Sequence, residues 1–273
     1  MKTEIENVLT SHAYSLPLRC EVAAITRILN SQPEGVKTGL DIGFTNPGVS
    51  SHFRKMRGYW MTVEPTVARR DLVAEELGDE TVLCMGENGE LPFEDRQFDA
   101  VLLAQRMLPA GEGAVDMIHE CHRVMKTGGV FILTVASRKR FGLARVLGRN
   151  AGNPGTVWYT EKEIFDLLKG GFDVLGFHYS CRFWVQMVRQ WADNRKSGWH
   201  GASNFWLRFL YGLAWLLDLP LFLTRGYQMT VFGRRKGWRD HAAQMFKRNT
   251  PVSDAMLFNP KYSGDRVSWD KFR

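Results

Sequence analysis

Cysteine is scarce and never closely spaced: Cys20, Cys84, Cys121 and Cys181 are the four in 273 residues, with no C-x-x-C pair. That speaks against a disulfide scaffold or a zinc ribbon and for a reducing compartment. The opening Met1-Lys2-Thr3-Glu4-Ile5-Glu6 lacks an apolar h-region, so no secretory signal is expected. No repeat or low-complexity tract occurs, and 44% hydrophobic with 24% charged residues excludes a disordered, collagen-like or coiled-coil chain. Acidic residues are scarce in one part only. Residues 181–273 hold 6 Asp/Glu against 16 Lys/Arg, and residues 1–180 hold 23 against 20, so the net +7 divides into −3 for the body and +10 for the final third. Seven of the nine tryptophans (Trp184, Trp191, Trp199, Trp206, Trp215, Trp238, Trp269) share that basic third. Such asymmetry points to an anionic partner, a membrane surface or a nucleic acid.

What is present is an alternation of short apolar runs and helical patterns, the mark of βα units and a parallel sheet. Strands are expected at 38–42, 59–64, 81–85, 98–104, 130–135, 172–177 and 227–232. The fourth and fifth are near-continuous apolar runs, as strands covered on both faces are. Helices are expected over Cys20–Leu29 and over Asp116–Met125, the latter ahead of a glycine stop at Lys126-Thr127-Gly128-Gly129. A further helix follows Thr160, which forms a capping box with Glu163. The fold class is therefore α/β, a doubly wound and mostly parallel sheet.

In such a sheet, ligands bind beyond the carboxyl ends of the strands, where strand order switches. The first strand runs into Asp41-Ile42-Gly43-Phe44-Thr45-Asn46-Pro47-Gly48, and a glycine there lets backbone approach a ligand closely. The second strand ends in Glu64, 21 residues beyond Gly43, a spacing that suits a carboxylate accepting both hydroxyls of a ribose. Downstream stand Gly86-Glu87-Asn88-Gly89-Glu90-Leu91-Pro92-Phe93-Glu94-Asp95, Phe98-Asp99-Ala100-Val101 and Glu120-Cys121-His122-Arg123-Val124-Met125-Lys126-Thr127-Gly128-Gly129. These segments resemble the G-D-x-x-x-L-P-F-x-D…F-D-x-V and E-x-x-R-V-L-K-P-G-G signatures of class I S-adenosylmethionine-dependent methyltransferases with a type 11-like domain. Thr127 stands in place of the usual Pro.

The resemblance covers residues 35–180 plus the last strand. It implies a seven-stranded Rossmann-like sheet whose last strand is antiparallel, with S-adenosyl-L-methionine as cofactor. It implies that Gly43 brings backbone against the methionine part, with Asp41 shaping the turn and Phe44 beside it. Glu64 would hold the ribose hydroxyls, Glu87 the adenine amino group, and the Asn88 backbone N–H the ring. Gln105 would line the cofactor near the sulfur. The chain then divides into an N-terminal helical cap (1–34), the cofactor-binding core (35–180), an apolar and basic insertion (181–225), the last strand (226–236) and a basic tail (237–273). One departure matters: Thr45 and Pro47 occupy the places of the second and third glycines. A catalytically inactive binding or partner protein with this fold is the alternative. His119-Glu120-Cys121-His122 lacks a metal motif's spacing, and no metal is expected.

An antiparallel last strand must begin at the edge where the preceding one ends, so the connection from Phe177 to Tyr227 emerges over the cofactor mouth. A second addition, Ser137–Trp158, carries Arg138, Lys139, Arg140, Arg145 and Arg149 and no acid. Phe205–Leu223 nearly reaches the ~20 apolar residues of a bilayer span, yet Arg208, Asp218 and Pro220 interrupt it. Its tryptophans and flanking bases suit a helix lying in the headgroup boundary. The expected substrate is a lipid-like, quinone-precursor or lipid-linked small molecule. The expected place is cytoplasmic, peripheral on an anionic inner membrane face. A phenolic acceptor would need proton removal, for which His178 and Tyr179 are the candidates. An RNA methyltransferase is the remaining alternative. Against nucleic acid, Ala104-Gln105-Arg106-Met107 stands where an N-P-P-Y-like tetrad would follow the fourth strand.

Overall fold

The computed structural model describes residues 16–33, 35–44, 47–77, 81–108, 111–138, 157–194, 203–221 and 226–237. In chain order these form α1 (Leu16–Asn30), β1 (Thr38–Ile42), α2 (Pro47–Arg54), β2 (Tyr59–Glu64), α3 (Val67–Leu77), β3 (Val82–Cys84) and β4 (Phe98–Leu103). Then follow α4 (Glu112–Val124), β5 (Met125–Ser137), β6 (Trp158–Tyr159), α5 (Glu161–Leu168), β7 (Phe172–Ser180), α6 (Phe183–Asn194), α7 (Ser203–Asp218) and β8 (Gln228–Arg235). The sheet order is β3-β2-β1-β4-β5-β8-β7, parallel except for β8, which runs antiparallel to both its neighbours. The expected seven strands are all present, and the two-residue β6, pairing with the end of β5, makes an eighth.

Alternation along the strands builds two cores, because successive side chains point to opposite faces. Val101 and Leu103 of β4 join Phe131, Leu133 and Val135 of β5 under α4 and α5, against Ile118, Cys121, Ile164 and Leu168. Ala100, Leu102, Val130 and Ile132 face the other way, onto Ile25 and Leu29 of α1 and Val49 and Phe53 of α2. A central strand buried on both faces has no polar side, which is why β4 and β5 read as unbroken apolar runs.

The Thr160 capping box is present in both halves: the Glu163 N–H donates to Thr160 Oγ1 at 3.2 Å and the Thr160 N–H to Glu163 Oε2 at 2.7 Å. The glycine stop works differently from the expectation. α4 ends at Val124 and Met125 is already extended, so the left-handed Gly128 lies within β5, where the pairing with β4 shifts register, and does not cap the helix.

The connection 181–227 leaves and rejoins the sheet at the carboxyl edge, where the Tyr227 N–H donates to the Cys181 carbonyl at 2.9 Å. Within it α6 and α7 form a hairpin with its own small core of Cys181, Val185, Tyr211 and Ala214. Asp218, 4% exposed, accepts the N–H groups of Trp184 (2.9 Å) and Val185 (3.2 Å). It caps the first turn of α6 from the far end of α7, where the helix dipole favours a negative charge. Asp218→Ala is expected to remove about 1–2 kcal/mol from this hairpin. Hydrogen exchange of α6 and α7 amides should then quicken while the sheet amides stay protected. The basic residues at 139–156, Arg195, Lys196 and the tail from 238 onward lie outside the described residues.

Candidate functional site

The carboxyl ends of β1, β2 and β4 meet at one point. Gly43 follows β1 with φ +71°, and a Cβ there would stand 2.0 Å from Met107 Cγ, so both the backbone and the neighbour demand glycine. Its N–H donates to the Val63 carbonyl at 2.9 Å, which extends the β1–β2 pairing to the brink of the site. Phe44 turns away: its ring is buried against Phe53, edge-on at 6.0 Å. Pro47 is the first residue of α2, a position whose N–H needs no partner, so the departure at that glycine place costs the fold nothing. Thr45 lies outside the described residues.

Glu64 closes β2 with a fully buried carboxylate. Its Oε2 receives Arg69 Nε at 3.0 Å and Arg106 Nη2 at 2.5 Å. Its Oε1 is buried with no hydrogen-bond partner among the described residues. An unpartnered buried carboxylate oxygen carries a desolvation penalty of about 1–3 kcal/mol or more, which a donor reaching it would relieve. Arg106 comes from the single-turn helix Gln105–Met107 after β4, and its Nε also donates to the Gly43 carbonyl. Its side chain, 28% exposed, therefore lies across the mouth from the glycine turn to the carboxylate. No signature in the sequence marks Arg106, although an arginine just past β4 is two strands from the acid that ends β2 and within reach of it.

Asp41 underlies the turn. Ser50 Oγ of α2 donates to its Oδ1 at 3.1 Å and Thr62 Oγ1 of β2 to its Oδ2 at 3.0 Å. Arg54 in turn donates to Thr62 Oγ1 at 2.8 Å and Thr81 Oγ1 at 2.9 Å. Full burial raises the Asp41 carboxyl to a pKa of about 7; Arg54 and the two hydroxyls pull it down, and Glu64 adds to the rise. The folded state thus keeps a proton that the unfolded chain releases near pH 4. The stability this confers is full at low pH and falls as pH climbs toward 7. Asp41→Asn is expected to flatten that slope: its melting temperature should gain on the wild type by several degrees between pH 5 and pH 8. A constant difference across that range would refute the assignment.

The remaining expected residues divide. Glu87 and Asn88 sit exposed on the turn 86–90 after β3, which is closed by the Gly86 N–H on the Glu90 carbonyl at 2.9 Å. That turn follows Met85, whose N–H donates to the Glu64 carbonyl at 2.9 Å, and Gln105 opens the turn that carries Arg106. His178 and Tyr179 are not brought there. β7 lies three strand spacings from β4, about 14 Å, and the two residues point to opposite faces. Tyr179 donates to Glu161, and His178 is half-buried opposite Thr230 with its pKa lowered by burial and by Arg27 and Arg182. The signature residues Asp99 and Arg123 are structural. Asp99 accepts the Thr38 N–H at 2.9 Å at the opposite edge of the sheet. Arg123 clamps the Leu91 and Phe93 carbonyls, Asp95 and Glu120.

The strand order, with a glycine turn and a buried acid at the switch between β1 and β4, defines an α/β protein of the doubly wound class. Residues 40–133 match the family model described as a methyltransferase domain. The uncharacterized protein MJ1123 of Methanocaldococcus jannaschii is 30% identical over 123 residues, which are 45% of this chain and 54% of that protein. The chain thus spans about half the length of that curated relative. The N-methyltransferase NodS of Bradyrhizobium japonicum, solved with S-adenosyl-L-homocysteine, superposes with a TM-score of 0.55 over 86% of this chain and 98% of its own, at 11% identity. The [4+2]-cyclase SpnF does so at 0.52 over 78% and 80%, with 19% identity. At such identities the shared property is the fold, and a fold hosts more than one reaction.

Proposed function

We propose that the protein is an S-adenosyl-L-methionine-dependent methyltransferase acting on a lipid-like molecule at an anionic membrane surface. The observation that carries the first half is Glu64 Oε1, a buried acceptor without a donor among the described residues, at the place where the resemblance puts a ribose. The residues present fit the cofactor provided Arg106 yields Oε2. Glu64 would then take both ribose hydroxyls, the turn 86–90 would border the adenine, and the Gly43 backbone would pass beneath the amino-acid arm. The cofactor supplies a methyl group on a sulfonium, open to in-line attack. The chain's part is alignment and exclusion of water, with Asp41 holding the turn through Ser50 and Thr62.

The second half rests on α7. Trp206, Phe209, Leu213 and Leu216 follow one another at helical spacing and are 58, 55, 44 and 56% exposed. Among the described residues no helix is long and apolar enough to cross a membrane. An apolar outer face on a hairpin within the +10 third of the chain suits the headgroup boundary of an anionic leaflet, where each basic residue contributes about 1 kcal/mol.

Titration calorimetry of the purified protein with S-adenosyl-L-homocysteine tests the cofactor reading. Saturable binding of one ligand per chain is expected. No heat at millimolar ligand would transfer the protein to the inactive-partner reading, which the Arg106–Glu64 pair favours.

A further inference from the structure

Arg106 belongs to no signature quoted above, yet it is the side chain nearest both fixed points of the nook. One nitrogen rests on the Gly43 carbonyl and another on Glu64 Oε2. Glu64 already has Arg69 at 3.0 Å, so it faces two guanidinium groups with one charge. The ion pair is therefore unequal: Glu64 can release Arg106 and stay neutralised, whereas Arg106 then needs another anion, since guanidinium does not lose its proton. Two hydroxyls arriving at Glu64 force that release, because a carboxylate oxygen that accepts from a ligand has less to offer a second arginine.

We propose that Arg106 selects nucleosides that carry an amino-acid carboxylate: it covers Glu64 in the ligand-free protein, and turns to the ligand's α-carboxylate when ribose claims Glu64. The proposal rests on the cofactor reading above. It makes Arg106 a specificity-determining residue. Planar guanidinium matches a carboxylate in a two-point contact that lysine cannot reproduce, and its Nε anchor on the Gly43 carbonyl already holds it at the turn where the resemblance places the methionine arm. A bare nucleoside must displace Arg106 from Glu64 without offering it a new partner, and is penalised for doing so.

The test compares S-adenosyl-L-homocysteine with 5′-methylthioadenosine, which shares the adenosine and thioether but has no carboxylate, in the wild type, Arg106→Gln and Arg106→Lys by titration calorimetry. Wild type is expected to prefer the homocysteine compound by about tenfold or more, the value of a charge-assisted pair. In Arg106→Gln that preference should collapse to within about threefold, with methylthioadenosine binding more tightly than in the wild type because Arg106 no longer covers Glu64. Arg106→Lys should fall between the two. An unchanged preference in Arg106→Gln overturns the proposal, as does equal tightening of both ligands, which would leave Arg106 a cover without selectivity. Failure of all three proteins to bind either ligand would instead overturn the cofactor reading, and this proposal with it. Thermal melting separates misfolding from lost affinity, and Arg106→Lys keeps the test open if Arg106→Gln does not fold.

Discussion

Glu64→Gln is expected to raise the dissociation constant for S-adenosyl-L-homocysteine by about 10- to 100-fold, the ~1.5–3 kcal/mol of a hydrogen bond to a charged acceptor. Two effects oppose each other in this variant. The amide keeps one acceptor and the shape of the side chain but loses the charge that strengthens both ribose contacts. It also loosens Arg106 from the mouth, which favours entry. The first is the larger, because Glu64 is fully buried and its Oε1 has no other partner among the described residues, while Arg106, at 28% exposure, is partly hydrated even without its anion. Arg69, at 21%, is similarly placed, so the fold should lose little and the melting temperature serves as the control. An unchanged dissociation constant would remove the ribose assignment and leave Glu64 as a structural counter-ion to two arginines.

The second large effect concerns the membrane. Replacing Trp206, Phe209 and Trp215 together by Ser is expected to release the protein from vesicles containing phosphatidylglycerol. About half of each ring is already covered, so each contributes about 1 kcal/mol on insertion, and three amount to a loss of more than about 100-fold in partitioning. None of the three belongs to the small core of the α6–α7 hairpin, so the hairpin should stand and cofactor affinity should not change. Co-sedimentation is the measurement. Retained binding would refute the interfacial role. A change in oligomeric state with binding unaffected would give the face to a second copy of the chain.

How much of this was legible beforehand varies by residue. That Glu64 and Gly43 share an edge is legible because spacing along two adjacent parallel strands maps directly onto one edge of the sheet. The motif around Leu91-Pro92-Phe93 and Arg123 was equally visible, but its purpose was not. The contacts of Arg123 with two carbonyls and two carboxylates show a clamp rather than a ligand contact. Phe44 stands next to Gly43 in sequence, yet it faces the core beneath α2. In the sequence Asp218 is a charge that breaks an apolar run, whereas in the fold it caps a helix that starts 35 residues earlier. His178 and Tyr179 lie at the edge the topology pointed to, but one strand order away from usefulness: β8 inserts between β5 and β7 and widens the gap.

By itself the amino-acid sequence determined the class of fold, the strands, the capping box at Thr160 and the pairing of a glycine turn with an acid. These are written in local periodicity and in separations along single strands, where neighbours in the chain remain neighbours in space. Only the tertiary structure decided that Arg106 covers Glu64, that Asp41 holds a proton into the neutral range, and that α7 turns an apolar face outward. Each of those depends on which segments, distant in the chain, come to share a few ångströms of dry space, since charge and burial act through distance rather than through order.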